Sequence, residues 1–160
     1  MIRPATAADA PSICRLIREL AAYEKLTHEL KFDEAQVADH LFGPRPYAEA
    51  LVAENDGQVV GFALFFHNYS TFVGKPGMYL EDLFVLPAFR GRGHGKALFQ
   101  AVVDLAIERG CGRMEWAVLD WNQPAIDFYK AFGAVPMSDW TTFRLSGDKL
   151  LAAATPAHRR

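Results

Sequence analysis

The densest chemistry in the 160-residue chain lies between Tyr79 and Gln100, YLEDLFVLPAFRGRGHGKALFQ. A strand-like run from Met78 to Val85 leads to a basic, glycine-rich segment, Arg90-Gly91-Arg92-Gly93-His94-Gly95-Lys96, which opens directly into an apolar-periodic helix. Strand, glycine loop and helix start form an anion-binding order. Glycines let successive amides turn inward, and the unpaired amides of the first helical turn add positive charge at the same point. A diphosphate suits such a cradle. Upstream, Glu81 and Asp82 stand side by side among apolar residues. Partial burial raises a carboxylate's pKa toward neutrality, so Glu81 is a candidate proton acceptor, directly or through water. Neighbours in a strand point to opposite faces, so the two acids can share a task only if a bulge re-aims one of them. Otherwise one acid caps a bulge and the other pairs with a basic side chain.

What the loop fails to match narrows its ligand. A Walker A loop needs Gly where Arg90 stands and a hydroxyl after the Gly-Lys pair, but Ala97 follows Lys96. A dinucleotide fingerprint started at Gly91 or at Gly93 would need glycine at Lys96 or Leu98. The pattern that fits is Arg/Gln-x-x-Gly-x-Gly/Ala, which resembles the pyrophosphate loop of the GNAT superfamily of acyl-CoA-dependent N-acetyltransferases. IRPATAAD, LIRELAAYE, YLEDLFV, RGRGHGKALF and WNQPAIDFYKAFGA follow in an order and spacing similar to its diamine (spermidine/spermine or thialysine) acetyltransferase branch, over about residues 1–151.

This resemblance implies transfer of an acetyl group from acetyl-CoA to a primary amine of a small cationic metabolite, by direct attack and without a metal. Tyr129 falls at the family's general-acid tyrosine, and its phenol, with a reference pKa near ~10, stays protonated at working pH. The alternative use of Tyr129 is as a core residue on a stripe with Ala125, Ile126 and Phe132. Glu81 would be the base. The backbone of Leu83, Phe84 and Val85 would meet the pantetheine, and Gly91, Arg92, Gly93, His94, Gly95 and Lys96 the pyrophosphate. Arg90 and Arg92 either neutralise phosphate or are solvated, and Asn122 either meets the pantetheine or caps its own helix. Tyr23 and Glu24, with Glu81 and Asp82, would face the substrate, an aromatic beside carboxylates suiting an alkylammonium. Where the branch carries a glutamate and a tryptophan, this chain has Thr141 and Phe143. That departure costs a long polyamine more than a short diamine or a lysine-like amine. The rival readings are acetylation of a protein or peptide amine and a non-catalytic acyl-CoA sensor. The resemblance also implies a homodimer.

With 51% hydrophobic residues the chain can bury one core. We expect a single domain over 1–153 and a basic tail at 154–160. A net charge of −2 with interspersed signs gives no basic surface for nucleic acid or membrane. Cys14 and Cys111 lie apart among apolar neighbours, as reduced thiols do, and His28, His40 and His67 lack metal-ligand spacing. No signal peptide and no apolar run of the ~20 residues that span a bilayer is present, so a cytoplasmic location is expected.

Several elements must position these residues. Met1–Pro4 reads as a strand. Thr6 to Asp9 reads as a capping box opening an amphipathic helix to Tyr23-Glu24, and Asp33 caps a second helix stopped by Gly43. Asn55-Asp56-Gly57 turns a hairpin, and Met78 to Val85 is its third strand. A helix from about Gly93 to Arg109, with Ala97, Leu98, Ala101, Val102 and Leu105 inward, crosses over to a strand from Arg113 to Leu119. Asn122 starts a short helix, and strands at 135–138 and 141–145 complete the sheet. The expected fold is α/β (α+β mixed), the GNAT fold: a central, mostly antiparallel twisted sheet of about six to seven strands flanked by about four helices.

Overall fold

The computed structural model of the chain describes residues 1–159. Its sheet is built outward from a tight hairpin. β2 (Glu49–Asn55) and β3 (Gln58–Ser70) are joined through Asp56 and Gly57, at φ 50° and 78°, the two left-handed residues that such a turn demands. β1 (Ile2–Pro4) adds antiparallel to β2, and β4 (Lys75–Val85) returns antiparallel along β3. Helix α1 (Ala10–Tyr23) and helix α2 (Glu34–Phe42) lie between β1 and β2 in sequence, and α3 (His94–Glu108) crosses over to β5 (Arg113–Glu115), which pairs in parallel with β4. The sheet order is β1-β2-β3-β4-β5. The chain separates into two compact units, Met1–Leu119 with the whole sheet and α1–α3, and a second from Asp120 onward with α4 (Gln123–Ala131) and α5 (Gly147–Ala153).

Each face of the sheet has its own layer. Ile13 and Leu16 of α1 and Leu41 of α2 join Ala50, Val52, Phe62 and Phe84 in one buried cluster. On the other face α3 buries Leu98, Phe99, Val102 and Ala106. Gly61 permits that approach, because a Cβ there would lie 2.9 Å from the Phe84 carbonyl oxygen and 3.3 Å from Leu98 Cδ1. The stripe differs from the expected one: Ala97 is exposed and Ala101 and Leu105 are half-buried, while Phe99 and Ala106 take inward places.

Among the described residues the sheet has five strands, fewer than the six to seven expected, and the α-helices number five, against about four expected. Residues 135–138 and 141–145 carry strand-like alternation but form no ladder among the described residues. Alternation describes one chain; a ladder also needs an edge to pair with. β5 stops at Glu115, four residues short of the expected Leu119.

Local chemistry at the first turn matches the reading. Asp9 accepts from the Thr6 amide at 2.7 Å and from the Thr6 hydroxyl at 3.1 Å. Arg3 adds a fork to the same carboxylate, at 2.8 and 3.0 Å, and its Nε donates to Glu54 at 2.8 Å. One guanidinium thus ties β1 to the first turn and to β2. The Arg3 hydrogen bonds hold the buried Asp9 carboxyl down at about 2, against the opposing effect of burial. A lowered carboxylate stabilises the fold above its unfolded pKa and loses that contribution as pH falls toward the folded value. Asp9→Asn should therefore cost about 2 kcal/mol in urea unfolding at pH 6, and the difference from the parent should shrink steadily toward pH 2. A gap that stays constant with pH would show that the ion pair is not its source.

Candidate active site

The register of β4 against β3 decides where the acids point. Asp82 pairs with Leu64 and Leu80 with Phe65, so Glu81 is an extra residue, a bulge. Paired residues share a face. Leu64 packs against the cluster under α1, whereas Phe65 lies beneath Arg109 at the end of α3. Leu80 therefore faces α3 while Asp82, two residues on, faces α1. Strict alternation would have put both on the α3 side. Glu81, expected to be partly buried, is exposed at the bulge, so the burial argument passes from it to Asp82.

The α1 face of β4 carries Tyr79, Asp82 and Phe84, and the end of α1 brings Tyr23 and Glu24 to it. The rings of Tyr23 and Phe84 lie 6.4 Å apart. Burial first, then the charges of Glu81 and Glu24, push the Asp82 carboxyl up to about 7. Burial also raises Glu24, and burial followed by Glu81 and Glu115 raises Tyr79, whose ring stacks on Phe66 at 5.1 Å. Three carboxylates thus gather beside an aromatic surface. No strand pattern could reveal Asp82 as the most perturbed of them, because a bulge is a property of pairing; the only sequence signal is the adjacent acids themselves.

β4 and β5 pair only from Gly77–Arg113 to Tyr79–Glu115. The ladder ends just before the bulge, although β4 continues to Val85, so the edge of Leu83, Phe84 and Val85 toward β5 has no strand beside it. Beyond lies the glycine loop. Gly91 and Gly93 have φ of 75° and 85°, with nothing within 4 Å of where a Cβ would stand. Gly93 is the N-cap of α3, and the Ala97 amide donates to its carbonyl at 2.9 Å. The amides of His94, Gly95 and Lys96 therefore have no acceptor inside the helix. His94 Nε2 is buried without a hydrogen-bond partner. The Arg92 guanidinium lies over Phe89 at 5.2 Å. Arg90 turns back, its Nε donating to the Val85 carbonyl at 2.9 Å.

In the second unit Asn122 is the N-cap of α4, its side chain accepting from the Ala125 amide at 3.4 Å, so the capping use is realised. Tyr129 is half-buried on the expected stripe with Ala125, Ile126 and Phe132, its ring 5.2 Å from that of Phe128. Thr141 and Phe143 are exposed.

A strand edge left open where a parallel ladder ends, beside a glycine loop at a helix start, is a coenzyme-shaped arrangement, and the family profile described as the acetyltransferase (GNAT) family matches residues 14–134. The chain belongs to the GNAT acetyltransferase family. This acetyltransferase is 41% identical over 161 residues to a thialysine N-epsilon-acetyltransferase of Bos taurus, covering 94% of each chain. It is 35% identical to an L-ornithine N5-acetyltransferase of Arabidopsis thaliana, covering 94% of this chain and 86% of the relative. An integron cassette protein structure from V. cholerae superposes with a TM-score of 0.79 at 26% identity, over 96% of this chain and 98% of the other. The protein is thus an N-acetyltransferase acting on amines, of the family that uses acetyl-CoA. Among the described residues no helix is long and apolar enough to cross a membrane.

The residues present fit acetyl-CoA: open amides and two bare, left-handed glycines for the diphosphate, and a free strand edge for the amide-bearing arm. The glycines are not equivalent. At Gly93 a side chain meets backbone strain of about 1–2 kcal/mol, whereas a Cβ at Gly95 would only touch Val85 Cγ2 at 3.8 Å. Gly93→Ala should lower the melting temperature, while Gly95→Ala leaves it near the parent value. Equal effects at the two positions in calorimetric unfolding would contradict this geometry.

Proposed function

We propose that this enzyme transfers the acetyl group of acetyl-CoA to the terminal primary amine of a small cationic metabolite, a diamine, polyamine or lysine-like amine, by direct attack. The observation that carries the reading is the Asp82 carboxyl, raised to about 7 beside Glu24, Glu81 and Tyr23. An alkylammonium is drawn to that acidic, aromatic surface, and a carboxylate poised near neutrality takes its proton. Asp82 thus replaces Glu81 as the base, with Glu81 and Glu24 holding the substrate's charge. The freed nitrogen forms its bond to the thioester carbonyl carbon, the carbon–sulfur bond breaks as the phenol of Tyr129 gives its proton to the departing sulfur, and the surplus proton of the acylated nitrogen passes through solvent to the phenolate. Backbone groups of Leu83 to Val85 hold the pantetheine arm, and the amides from Gly91 to Lys96 hold the diphosphate. The tyrosine assignment rests on the WNQPAIDFYKAFGA motif.

One family match running across residues 14–134 supports reading 1–153 as one catalytic domain with a short tail. Val135, Trp140 and Phe143, at 76%, 71% and 91% exposure, supply apolar surface for the second subunit of a homodimer. Relatives named for thialysine and ornithine acetylation support a lysine-like amine, and Thr141 and Phe143 in place of the branch's glutamate and tryptophan weigh against a long polyamine.

The test is acetyl-CoA turnover across diamines, polyamines, lysine analogues and peptides. Tyr129→Phe should lower kcat by roughly 10²-fold or more with acetyl-CoA binding retained; unchanged turnover would remove the tyrosine from the mechanism. Since Asp82 works ionised, kcat/KM should be full above about 7 and fall as pH drops through that value. Asp82→Asn should lose roughly 10²-fold in kcat/KM and this ascending limb, whereas Glu81→Gln should keep it. The reverse outcome would return the base to Glu81.

A further inference from the structure

The ladder between β4 and β5 ends on the pair Tyr79–Glu115, two residues after Gly77–Arg113. Ladder partners share a face, as do residues two apart on a strand. Tyr79 pairs with Phe66 and stacks on its ring, on the α1 side that also carries Asp82. Glu115 and Arg113 therefore extend that face onto β5. Burial first, then the charges of Glu81 and Glu115, raise the Tyr79 phenol, which stays neutral between one carboxylate at the bulge and another across the ladder. Glu115 already has a cation, because Arg113 Nε meets its Oε1 at 3.2 Å with the two side chains 43% and 37% exposed. An ion pair this wet contributes little and opens easily. The guanidinium also has a second acceptor in the neighbouring row. Asn68 pairs with Gly77 on the same face, and its Oδ1 fills the space of a Cβ at Gly77, a point 3.6 Å from the Arg113 carbonyl oxygen. That oxygen of Asn68 is buried and, among the described residues, has no hydrogen-bond partner. Arg113 and Glu115 lie outside every motif that carries the family resemblance.

We infer that Arg113 and Glu115 form a displaceable latch, in which a second positive charge on the substrate replaces the Arg113 guanidinium on Glu115. Glu115 thereby tells an amine with two charges from one of the same length with a single charge. This rests on the amine-acetylating reading above and deepens it. The reacting nitrogen belongs at Asp82. Glu115 stands one strand over and three residues back, roughly 10 Å away at ~3.3 Å per residue and ~4.8 Å between strands. The Tyr79 ring lies along that path and offers its face to an alkylammonium. A chain of several carbons can therefore cross it and set its far ammonium on Glu115. The exchange replaces one cation by another on the same carboxylate. Arg113, once released, turns to the Asn68 oxygen and satisfies an acceptor that otherwise has no donor. A monoamine brings only a methyl group to this end, which cannot compete for the carboxylate, and the latch stays closed.

The experiment measures kcat/KM for 1,5-diaminopentane and for pentylamine in the parent, in Glu115→Gln and in Arg113→Gln. The parent should prefer the diamine. Glu115→Gln should lower the diamine-to-monoamine ratio by roughly three- to tenfold, whereas Arg113→Gln, which removes the competing cation, should raise it by roughly two- to fivefold. Shifts of opposite sign are what a latch requires and what two supports of a strand edge would not give. A ratio unchanged in either variant overturns the proposal, as does a fall in both, or a parent that treats the two amines alike. Calorimetric titration of the same three proteins with the same two amines, in the presence of coenzyme A, reads the ratio as affinities. If no amine is acetylated, the catalytic reading fails, and the titrations still decide between latch and support.

Discussion

One extra residue in a strand decides which of two adjacent acids turns to the α1 face of this sheet. Glu81 interrupts the pairing of β4 with β3, and the interruption turns Asp82 from the α3 side of the sheet to the α1 side. There Asp82 meets the end of α1, with Glu24 and Tyr23. The ladder between β4 and β5 ends at Tyr79 and Glu115, just before the same bulge. A bulge bends its strand and increases the local twist, so a single irregularity accompanies two features: the re-aimed Asp82 beside Tyr23 and Glu24, and the open strand edge from Leu83 to Val85.

That arrangement opposes stability, which is why the surrounding scaffold matters. A half-buried carboxylate among other acids loses hydration and gains repulsion, and its raised pKa expresses both effects. Elsewhere the fold uses charge in the opposite sense. Arg3 joins Asp9 and Glu54 near the chain start, and Arg109 at the end of α3 forks onto Glu49 of β2 at 2.6 and 2.9 Å. The latter bond fixes the far end of the helix whose first turn forms the glycine loop. Paired charges brace the frame, whereas Asp82 forms no ion pair among the described residues.

Features written in a few consecutive residues were legible in the sequence. Asp56-Gly57 required a tight turn, Asp33 a helix start, and the glycines from 91 to 95 a loop that opens a helix, because each depends on local backbone freedom or a local hydrogen bond. The motifs that resembled the family pointed to the fold class that the structure shows. Register was not legible. The adjacent acids raised the question of a bulge, but which of them is buried depends on β3, more than ten residues away along the chain. The turn of Arg90 toward Tyr23 depends likewise on where α1 ends in space, and the alternation in residues 135–145 says nothing of an available edge. Fold and loop were therefore readable, while the register that separates Glu81 from Asp82 and the direction of the Arg90 side chain required the structure.

The central claim is that the bulge turns the half-buried Asp82 to the α1 face of the sheet, within reach of the Glu24 charge. Carboxyl-carbon NMR titration of labelled Asp82, in the parent and in Glu24→Gln, measures this without any assumption about turnover. The account predicts a midpoint of about 7 in the parent and a lower one once the Glu24 charge is removed. A midpoint in the ordinary aspartate range near ~4, unmoved by the substitution, would contradict it.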